Sequence, residues 1–528
     1  MSYAGYQILL LHAHLPYIRH KGYSVPFLEE NWLNEAICDT YLPLIRVFRK
    51  LRAENIPFKI TMSFTPTLLS MLDDSYLQEN FIKYIESLIQ LSLKEVKRNV
   101  DNERLAPLSS LYLENYEDLR SLYFDLNKNI ISGFSEFVQS NNLEILASCA
   151  THAFLPLLES EPSSIRAQLK IGKKVYKKFW GLEPRGLWLP ECGYFNGLET
   201  YLTQEGFKYF FVDSHGILHA SPRPKYGVYA PVEVGSNLFA FGRDPLSSKQ
   251  VWSATEGYPG DYRYREYYRD IGFDLDMEYI KDFIHPGGIR RNTGIKYYRI
   301  TGENERKELY NPREASEALD SHVEHFVNSR IQQSERIIRT EGQPAVIVSP
   351  YDAELFGHWW HEGPSFIEKL CKKIYSSSQK IHMVLPMQSL GLLTRIQPVN
   401  MNMSSWGESG YSDVWINQSN DWIYRHIMEC SILMNEKVHE YKHETDPIKC
   451  RLLNQMGREL LLLQSSDWAF IMKADTMVEY AVKRTRIHTT LFLELNRMLS
   501  SQNINEERLV EIENEHPIFP ELKFGDFL

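Results

Sequence analysis

Short apolar runs that each end in polar side chains are the feature that most limits what this chain can form. The runs are about four to seven residues long, and a histidine, an acid or an arginine follows most of them. Segments with helical character separate the runs, and this alternation predicts a parallel sheet covered by helices. The runs occupy residues 8–11, 58–64, 144–149, 185–189, 208–212, 238–241, 345–348 and 382–385.

The number of runs and the position of their polar ends predict both a fold and a site. About seven strands favour an irregular (β/α)7 barrel, of the α/β class, over an open doubly wound sheet. Parallel barrels carry their functional residues at the carboxyl ends of the strands, so the polar groups are expected at one rim. Nucleotide binding has no support, because the sequence contains neither GxGxxG nor GxxxxGKS/T.

Composition narrows the class of protein further. A net charge of −10 argues against nucleic acid or an anionic membrane as the main partner. The six cysteines form no CxxC pair, and the first apolar run is too short for a signal peptide, so we expect a soluble cytoplasmic protein with free thiols. The 10 Trp, 31 Tyr and 26 Phe residues suit a carbohydrate ligand, although most aromatic side chains pack in cores.

The chain changes character twice, which predicts three structural units. Residues 73–128 are charged, helix-forming and nearly free of glycine, so we expect a helical insertion in a barrel formed by 1–72 and 129–397. Residues 398–528 are predicted to form an all-helical C-terminal domain. Within it, the polar stretch 464–468 interrupts a leucine-rich helix. The stretch either completes a substrate cleft at the barrel or forms an exposed turn.

Two carboxylates stand at predicted strand ends. Asp352 follows the buried run 345–348, and Glu191 follows a run that contains Trp188. Asp352 has two interpretations, since aspartate is also a favoured helix N-cap. A glycosidase needs one ionised carboxylate to attack the anomeric carbon and one protonated carboxyl for the leaving oxygen. Nearby aromatic residues could desolvate one carboxyl and raise its pKa, so the two residues are candidates for such a pair.

Three histidines also follow apolar runs. His12 and His14 are two residues apart, so they share one face of a strand, and His152 follows the run 144–149. They fit a metal site, a sugar-binding set or buried structural histidines. A metal-dependent amidohydrolase or deacetylase that uses these histidines with Asp352 is therefore an alternative to a glycosidase.

Five sequence blocks in order resemble glycoside hydrolase family 57, and within it the 1,4-α-glucan branching enzyme group. The resemblance covers nearly the whole chain and implies a (β/α)7 barrel, a helical insertion and a helical C-terminal domain. The blocks are HAHLPY at 12–17, CATHAF at 149–154, WLPECGY at 188–194, SPYDAELFGHWW at 349–360 and QSSDWAF at 464–470.

The resemblance implies roles for particular residues. Glu191 falls on the family's nucleophile and Asp352 on its general acid/base. Substrate contacts are implied at Arg243, Gly260, Trp406 and Asp467, and the subsite around the reacting sugar at His12, His14 and His152. The chemistry needs no metal or other cofactor, which favours the sugar-binding interpretation of the histidines. The implied substrate is an α-1,4-glucan: glycogen, amylose or maltooligosaccharides.

Two segments that cover the site in branching enzymes are short in this chain. They are residues 195–202 and 220–231, and Tyr226 and Tyr229 are the candidates for a lid tyrosine. A lid that admits water would let water intercept the glycosyl-enzyme intermediate. An α-amylase-type hydrolase is therefore an alternative to a branching enzyme. A further alternative is a non-catalytic glucan-binding protein that grips the polymer with Trp406, Trp415 and Asp467.

Overall fold

A curled, mostly parallel sheet forms the centre of the protein. The computed structural model describes residues 5–528 except 24, 26, 254–255, 303–305 and 502–503. The sheet has the strand order β10-β6-β7-β5-β4-β3-β2-β1-β8, with β9 beside β1, and the β6–β7 pair is antiparallel. The strands are β1 Gly5–Ala13, β2 Ile60–Phe64, β3 Leu143–Ser148, β4 Gly186–Trp188, β5 Tyr209–Val212, β6 Val232–Glu233, β7 Phe239–Gly242, β8 Val346–Asp352, β9 Ile381–Met383 and β10 Gln397–Pro398.

Seven parallel strands curl into the predicted barrel. Their order is β7-β5-β4-β3-β2-β1-β8, and the curl brings β7 back to β8. Asp244, two residues after β7, donates its backbone N–H to the Val348 carbonyl at 2.8 Å. The prediction of an irregular (β/α)7 barrel is therefore confirmed.

The strands at the centre are buried on both faces, as their continuous apolar runs predict. They extend further than the apolar runs, because backbone pairing continues into the polar residues. β1 and β8 pair from Tyr6↔Val346 to His12↔Asp352, and β1 and β2 pair His12 with Ser63. Ser63, His12 and Asp352 therefore form one row across three neighbouring strands at the carboxyl rim.

Helices cover the barrel at the predicted places. A π-helical turn, Ile37–Tyr41, lies between α1 and α2, and such turns often mark functional sites. The helices up to residue 390 are α1 Glu30–Ala36, α2 Leu42–Ala53, α3 Pro66–Leu72, α4 Ser75–Arg98, α5 Ala106–Asp125, α6 Ile130–Gln139, α7 Pro162–Trp180, α8 Leu198–Gln204, α9 Ser214–Leu218, α10 Pro245–Trp252, α11 Ile271–Asp274, α12 Met277–Ile280, α13 Pro312–Glu341, α14 Gly363–Ser376 and α15 Pro386–Leu390.

The long helices α4 and α5 lie inside the segment predicted as an insertion. They pack against each other, with the Phe81 and Tyr123 rings 4.7 Å apart. Pro107 stands in the first turn of α5, where its missing N–H leaves no helix bond unmade. The bounds of the insertion, 73–128, and of the other two units stay a prediction.

The C-terminal part of the chain is helical from Trp422 onward, and it contacts the barrel through its polar stretch. In the unit predicted as all-helical, the described residues 399–421 contain only one short 3₁₀ turn, Glu408–Gly410, as helix. Ser465 pairs with Ala153 in an antiparallel bridge, and the Ser466 N–H donates to the His152 carbonyl at 3.2 Å. Gln464 and its two serine neighbours are buried, so this stretch faces the barrel rather than solvent. The helices are α16 Trp422–Glu440, α17 Pro447–Leu463, α18 Ser466–Lys473, α19 Val478–Leu499 and α20 Glu506–Glu515.

The six cysteines are free, and all except Cys450 are buried. Within the described residues, no helix combines the length and the apolar character that crossing a membrane requires.

Candidate active site

Glu191 stands in a strained turn directly after β4. Its φ is 60° and that of Cys192 is 52°, in the left-handed region that side chains with a Cβ avoid. Each such residue costs about 1–3 kcal/mol, and proteins keep this strain mainly at functional sites. The Glu191 carbonyl accepts the Trp406 backbone N–H at 2.9 Å, which holds the turn. The turn aims the carboxylate into the barrel mouth.

Two donors hold the Glu191 carboxylate, one on each oxygen. The Trp406 indole Nε1–H donates to Oε2 at 2.8 Å, and the Ser466 hydroxyl donates to Oε1 at 2.9 Å. The side chain is 13% exposed. Burial raises the pKa of Glu191 above its ordinary value, whereas both hydrogen bonds lower it. The donors therefore favour the ionised form that a nucleophile requires.

Asp352 is the last residue of β8 and is partly exposed. A short 3₁₀ turn follows it, but the Asp352 side chain makes no capping hydrogen bond, so the capping interpretation is wrong. Burial, together with the charges of Glu354 and Glu191, raises the pKa of Asp352 to about 8. The carboxyl is therefore protonated at neutral pH, as a general acid must be.

Two hydrogen-bond donors favour the ionised form of Glu191, whereas burial and neighbouring charges favour the protonated form of Asp352. The Glu191 charge contributes to the raised pKa of Asp352, so the two carboxyls lie close enough to interact electrostatically. One ionised and one protonated carboxyl is the combination that acid–base chemistry on a glycosidic bond uses.

His14 and Asp467 form a pair at the mouth of the site. The His14 Nε2 lies 2.9 Å from Asp467 Oδ1, and its Nδ1 lies 3.0 Å from the Thr65 hydroxyl. Burial lowers the pKa of His14, but the Asp467 carboxylate, with the charges of Glu191 and Glu354, more than offsets this and raises the pKa above its ordinary value. The His14 backbone N–H donates to Glu354 Oε1 at 3.2 Å. The pair therefore ties the C-terminal part of the chain to β1 and β8.

His12 and His152 are almost fully buried, at 1% and 2% exposure. Their Nε2 atoms lie 3.0 Å apart, and their Nδ1 atoms face the hydroxyls of Ser63 and Ser466. All four ring nitrogens therefore have protein partners. Within the described residues, three potential metal ligands converge at Glu459, His488 and His516 rather than at these histidines.

Aromatic residues and Arg243 form the wall beside the carboxyl pair. Trp188 lies between the rings of His12 and Trp406, with centroids 4.7 Å and 5.0 Å away. The Arg243 guanidinium stands over the Trp406 ring at 5.6 Å and pairs with Asp213 at 3.2 Å. An aromatic wall with one oriented cation suits a polyhydroxylated ligand.

The structure gathers eight of the ten predicted site residues around this wall: Glu191, Asp352, His12, His14, His152, Arg243, Trp406 and Asp467. Trp415 is buried and stacks on Phe154, with ring centroids 4.2 Å apart. Gly260 ends an exposed 3₁₀ turn, where its N–H donates to the Gly257 carbonyl. The described contacts of these two residues lie outside the carboxyl pair.

Of the two candidate lid tyrosines, Tyr229 contacts α13 and the start of β8, whereas Tyr226 lines a surface cavity. The Tyr229 hydroxyl accepts a hydrogen bond from Gln333 of α13 at 3.3 Å, and its carbonyl accepts the Val346 N–H. Lys225 lies over the Tyr226 ring at 5.4 Å, and both residues line a surface cavity with residues 394–397.

Sequence reasoning missed several residues of the site. Ser466 and Glu354 lie inside the sequence blocks 464–470 and 349–360. Their nearness in sequence to Asp467 and Asp352 was the one signal that could have identified them as site residues. Tyr41 donates to Glu354 Oε1 at 2.5 Å from the π-helical turn, and no local pattern indicates this contact.

A parallel barrel with a carboxyl pair and an aromatic wall at its carboxyl rim defines a carbohydrate-active enzyme. The family model for "Glycosyl hydrolase family 57" matches residues 8–404, and the chain belongs to this family. A second model, "1,4-alpha-glucan branching enzyme, C-terminal", matches residues 426–527.

Two proteins that are similar to this chain are named for different activities. The 1,4-alpha-glucan branching enzyme TK1436 of Thermococcus kodakarensis is 31% identical over 99% of this chain and 78% of its own length. Its crystal structure, with glucose, superimposes with a TM-score of 0.89 at 29% identity, covering 99% of this chain and 96% of that one. The α-amylase AmyC of Thermotoga maritima gives a TM-score of 0.93 at 44% identity, covering 99% of both chains.

Proposed function

We propose that this protein is a retaining 1,4-α-glucan branching enzyme, which moves an α-1,4-glucan segment to a 6-hydroxyl. The observation that carries the proposal is the carboxyl pair, in which two donors favour the ionised form of Glu191 and burial favours the protonated form of Asp352. The match of residues 426–527 to the branching-enzyme C-terminal model supports transfer as the outcome, as do the names of the similar proteins.

In the first step, the Glu191 carboxylate attacks C1 of a glucose unit. The bond from C1 to the glycosidic oxygen breaks, and Asp352 gives its proton to that oxygen. The product is a glycosyl ester on Glu191 and a shortened glucan. Trp406 and Arg243 hold the sugar, with the buried Trp188 ring packed against Trp406, and the His14–Asp467 pair binds its hydroxyls.

In the second step, Asp352 is a carboxylate and acts as a base. It takes the proton of a glucan 6-hydroxyl, whose oxygen attacks C1 and frees Glu191. Two displacements at C1 retain the α configuration. The proposal places Glu191, Asp352, His14, Arg243, Trp406 and Asp467 at the reacting sugar, with the buried His12 and His152 behind them and a polymer contact at the exposed Gly260. Trp415 is buried, so the predicted contact of this residue with the glucan is not part of the proposal.

Hydrolysis by the same site is the second candidate function. Two observations favour it: the segments 195–202 and 220–231 are short, and a solved structure 44% identical to this chain is described as an α-amylase. In that case Asp352 would activate water instead of a sugar hydroxyl.

Amylose assays test the proposal and separate the two outcomes. Branching lowers iodine staining without new reducing ends, whereas hydrolysis raises the number of reducing ends. We expect Glu191→Ala and Asp352→Ala each to lower the rate by more than about 1,000-fold. Glu183→Ala, which removes an exposed carboxylate paired with Lys177, is the matched control and should keep its activity. Full activity of either active-site variant would refute the assignment.

We also place the enzyme in the cytoplasm, in the synthesis of glycogen or another storage glucan, without a nucleic-acid or membrane partner. Six free cysteines support a reducing compartment, and the net charge of −10 disfavours polyanionic partners. This proposal also includes the division of the chain into three units. They are the barrel of 1–72 and 129–397, the insertion 73–128 and the domain 398–528.

A further inference from the structure

An unbroken line of hydrogen bonds runs from β2 to the Glu191 carboxylate. Ser63 Oγ lies 3.1 Å from His12 Nδ1, and His12 Nε2 lies 3.0 Å from His152 Nε2. His152 Nδ1 lies 2.9 Å from Ser466 Oγ, which lies 2.9 Å from Glu191 Oε1. The line crosses from the barrel to the C-terminal part of the chain through Ser466.

The four residues that lead to Glu191 are sealed from solvent. Ser63 is fully buried, and His12, His152 and Ser466 are at most 2% exposed. Burial lowers the pKa of both histidines well below 6.5, so both rings are neutral. A neutral imidazole donates through one nitrogen and accepts through the other. A ring that donates on one side must therefore accept on the other, so the order of donor and acceptor is the same along the whole line.

The ionised Glu191 carboxylate can only accept, and this sets every other donor in the line. Ser466 donates to Glu191, so it accepts from His152 Nδ1–H. His152 Nε2 is then bare and accepts from His12 Nε2–H, which leaves His12 Nδ1 to accept from Ser63. A protonated Glu191 that donates to Ser466 would reverse all of these bonds.

We infer that Ser63, His12, His152 and Ser466 are positioning residues that hold Glu191 ionised and fix its orientation. The inference rests on the proposed role of Glu191 as nucleophile. It gives the buried histidines a function that requires no contact with sugar or metal. It also explains why a serine from α18 must reach the barrel.

Other groups that face Glu191 act alongside the line. Trp406 donates to the second carboxylate oxygen. The Asp467 charge raises the pKa of Glu191 and the His14 charge lowers it, while Asp352 and Tyr424 also interact electrostatically with this carboxylate. The test must therefore change the line alone and leave these groups in place.

Ser466→Ala cuts the line beside the nucleophile. Loss of one donor to a charged group should raise the pKa of Glu191 by about one to two pH units. The acidic limb of the pH profile of kcat/KM reports the ionisation of Glu191. We expect this limb to move to higher pH by that amount for glucan turnover, with KM changed less than about twofold. Ser466→Thr, which keeps the hydroxyl, should restore the limb. Ser164→Ala, another buried serine near Gln464, is the control and should leave the limb in place.

Ser63→Ala cuts the line at its far end. Within the line, Ser63 bonds to His12 only, so the variant removes a single hydrogen bond of the line. We expect the acidic limb to move less, in the same direction. The ¹⁵N spectrum of histidine-labelled enzyme gives a readout besides activity: His152 should carry its proton on Nδ1 and His12 on Nε2. Ser466→Ala should disturb both signals.

Two results would overturn the inference. One is an acidic limb that stays in place in Ser466→Ala, and the other is a pair of histidine tautomers opposite to those expected. Failure of the proposed function has a different signature, because the wild type would then lack glucan turnover or Glu191→Ala would retain it.

Discussion

The indole N–H of Trp406 offers a direct measurement of how Glu191 is kept ionised. Trp406→Phe removes this donor, which lies 2.8 Å from Oε2, but keeps an aromatic ring beside Trp188 and Arg243. A hydrogen bond to a charged group contributes about 1.5–3 kcal/mol. At about 1.4 kcal/mol for each tenfold change in the ionisation constant, its loss raises the pKa of Glu191 by about one to two pH units.

The expected result is an acidic limb of kcat/KM that moves to higher pH, with little change of the alkaline limb. On the acidic limb, the rate of amylose turnover falls about tenfold for each pH unit that the limb moves, because a tenfold smaller fraction of Glu191 is ionised there. Well above the limb, the variant approaches the wild-type rate. Trp180→Phe is the control, because this indole N–H has no hydrogen-bond partner among the described residues. Both variants should be compared in thermal unfolding to exclude a general loss of structure.

An acidic limb that does not move in Trp406→Phe, together with native stability, would refute this explanation of the Glu191 protonation state. A uniform loss of rate at every pH would instead assign Trp406 to substrate binding alone. The double variant Trp406→Phe with Ser466→Ala should move the limb by an amount that differs from the sum of the two single-variant shifts, because the two donors share one carboxylate.

The remaining predictions concern Asp352 and the stability of the fold. Since burial raises the pKa of Asp352 to about 8, kcat/KM should fall above that pH, and Glu354→Gln should move this alkaline limb down by about one pH unit. Glu459→Gln should lower the free energy of unfolding by about 1.5–3 kcal/mol, because it weakens the hydrogen bonds that the buried His488 and His516 make to a carboxylate, at 2.7 and 2.9 Å. Burial lowers the pKa of His488 to about 3, so the unfolded chain binds its proton first. The contribution of His488 to stability is therefore complete above about pH 6.5 and falls by up to about 1.4 kcal/mol per pH unit between about pH 6.5 and pH 3, which acid unfolding measures.

The barrel strands were predictable because each is a buried apolar run, but their ends were not. β8 continues through Pro350 to Asp352 since its backbone pairs with β1, and pairing partners are a tertiary property. The π-helical turn at Ile37–Tyr41 was invisible for the same reason. Residue propensities describe a continuous helix there, whereas the π-helical turn brings Tyr41 to a hydrogen bond with Glu354, which lies 313 positions away.

The carboxyl pair was predictable because acids after apolar runs fall on the rim of a parallel barrel. The groups that tune the pair were not, since they come from remote parts of the chain. Ser466 is 275 positions from Glu191, and no local pattern joins them. No sequence signal predicted the left-handed turn at Glu191 and Cys192, because glycine is the residue that usually indicates such a backbone conformation.

The origin of the Glu191 donors explains why the helical C-terminal part accompanies the barrel. The barrel supplies the strained turn that presents the carboxylate, but neither of the two donors that favour its charge. Trp406 follows the last strand, and Ser466 begins α18. Burial without these donors would raise the pKa of Glu191 further and favour the protonated form, which cannot act as a nucleophile. The ionisation of Glu191 therefore depends on the contact between the barrel and the C-terminal part of the chain.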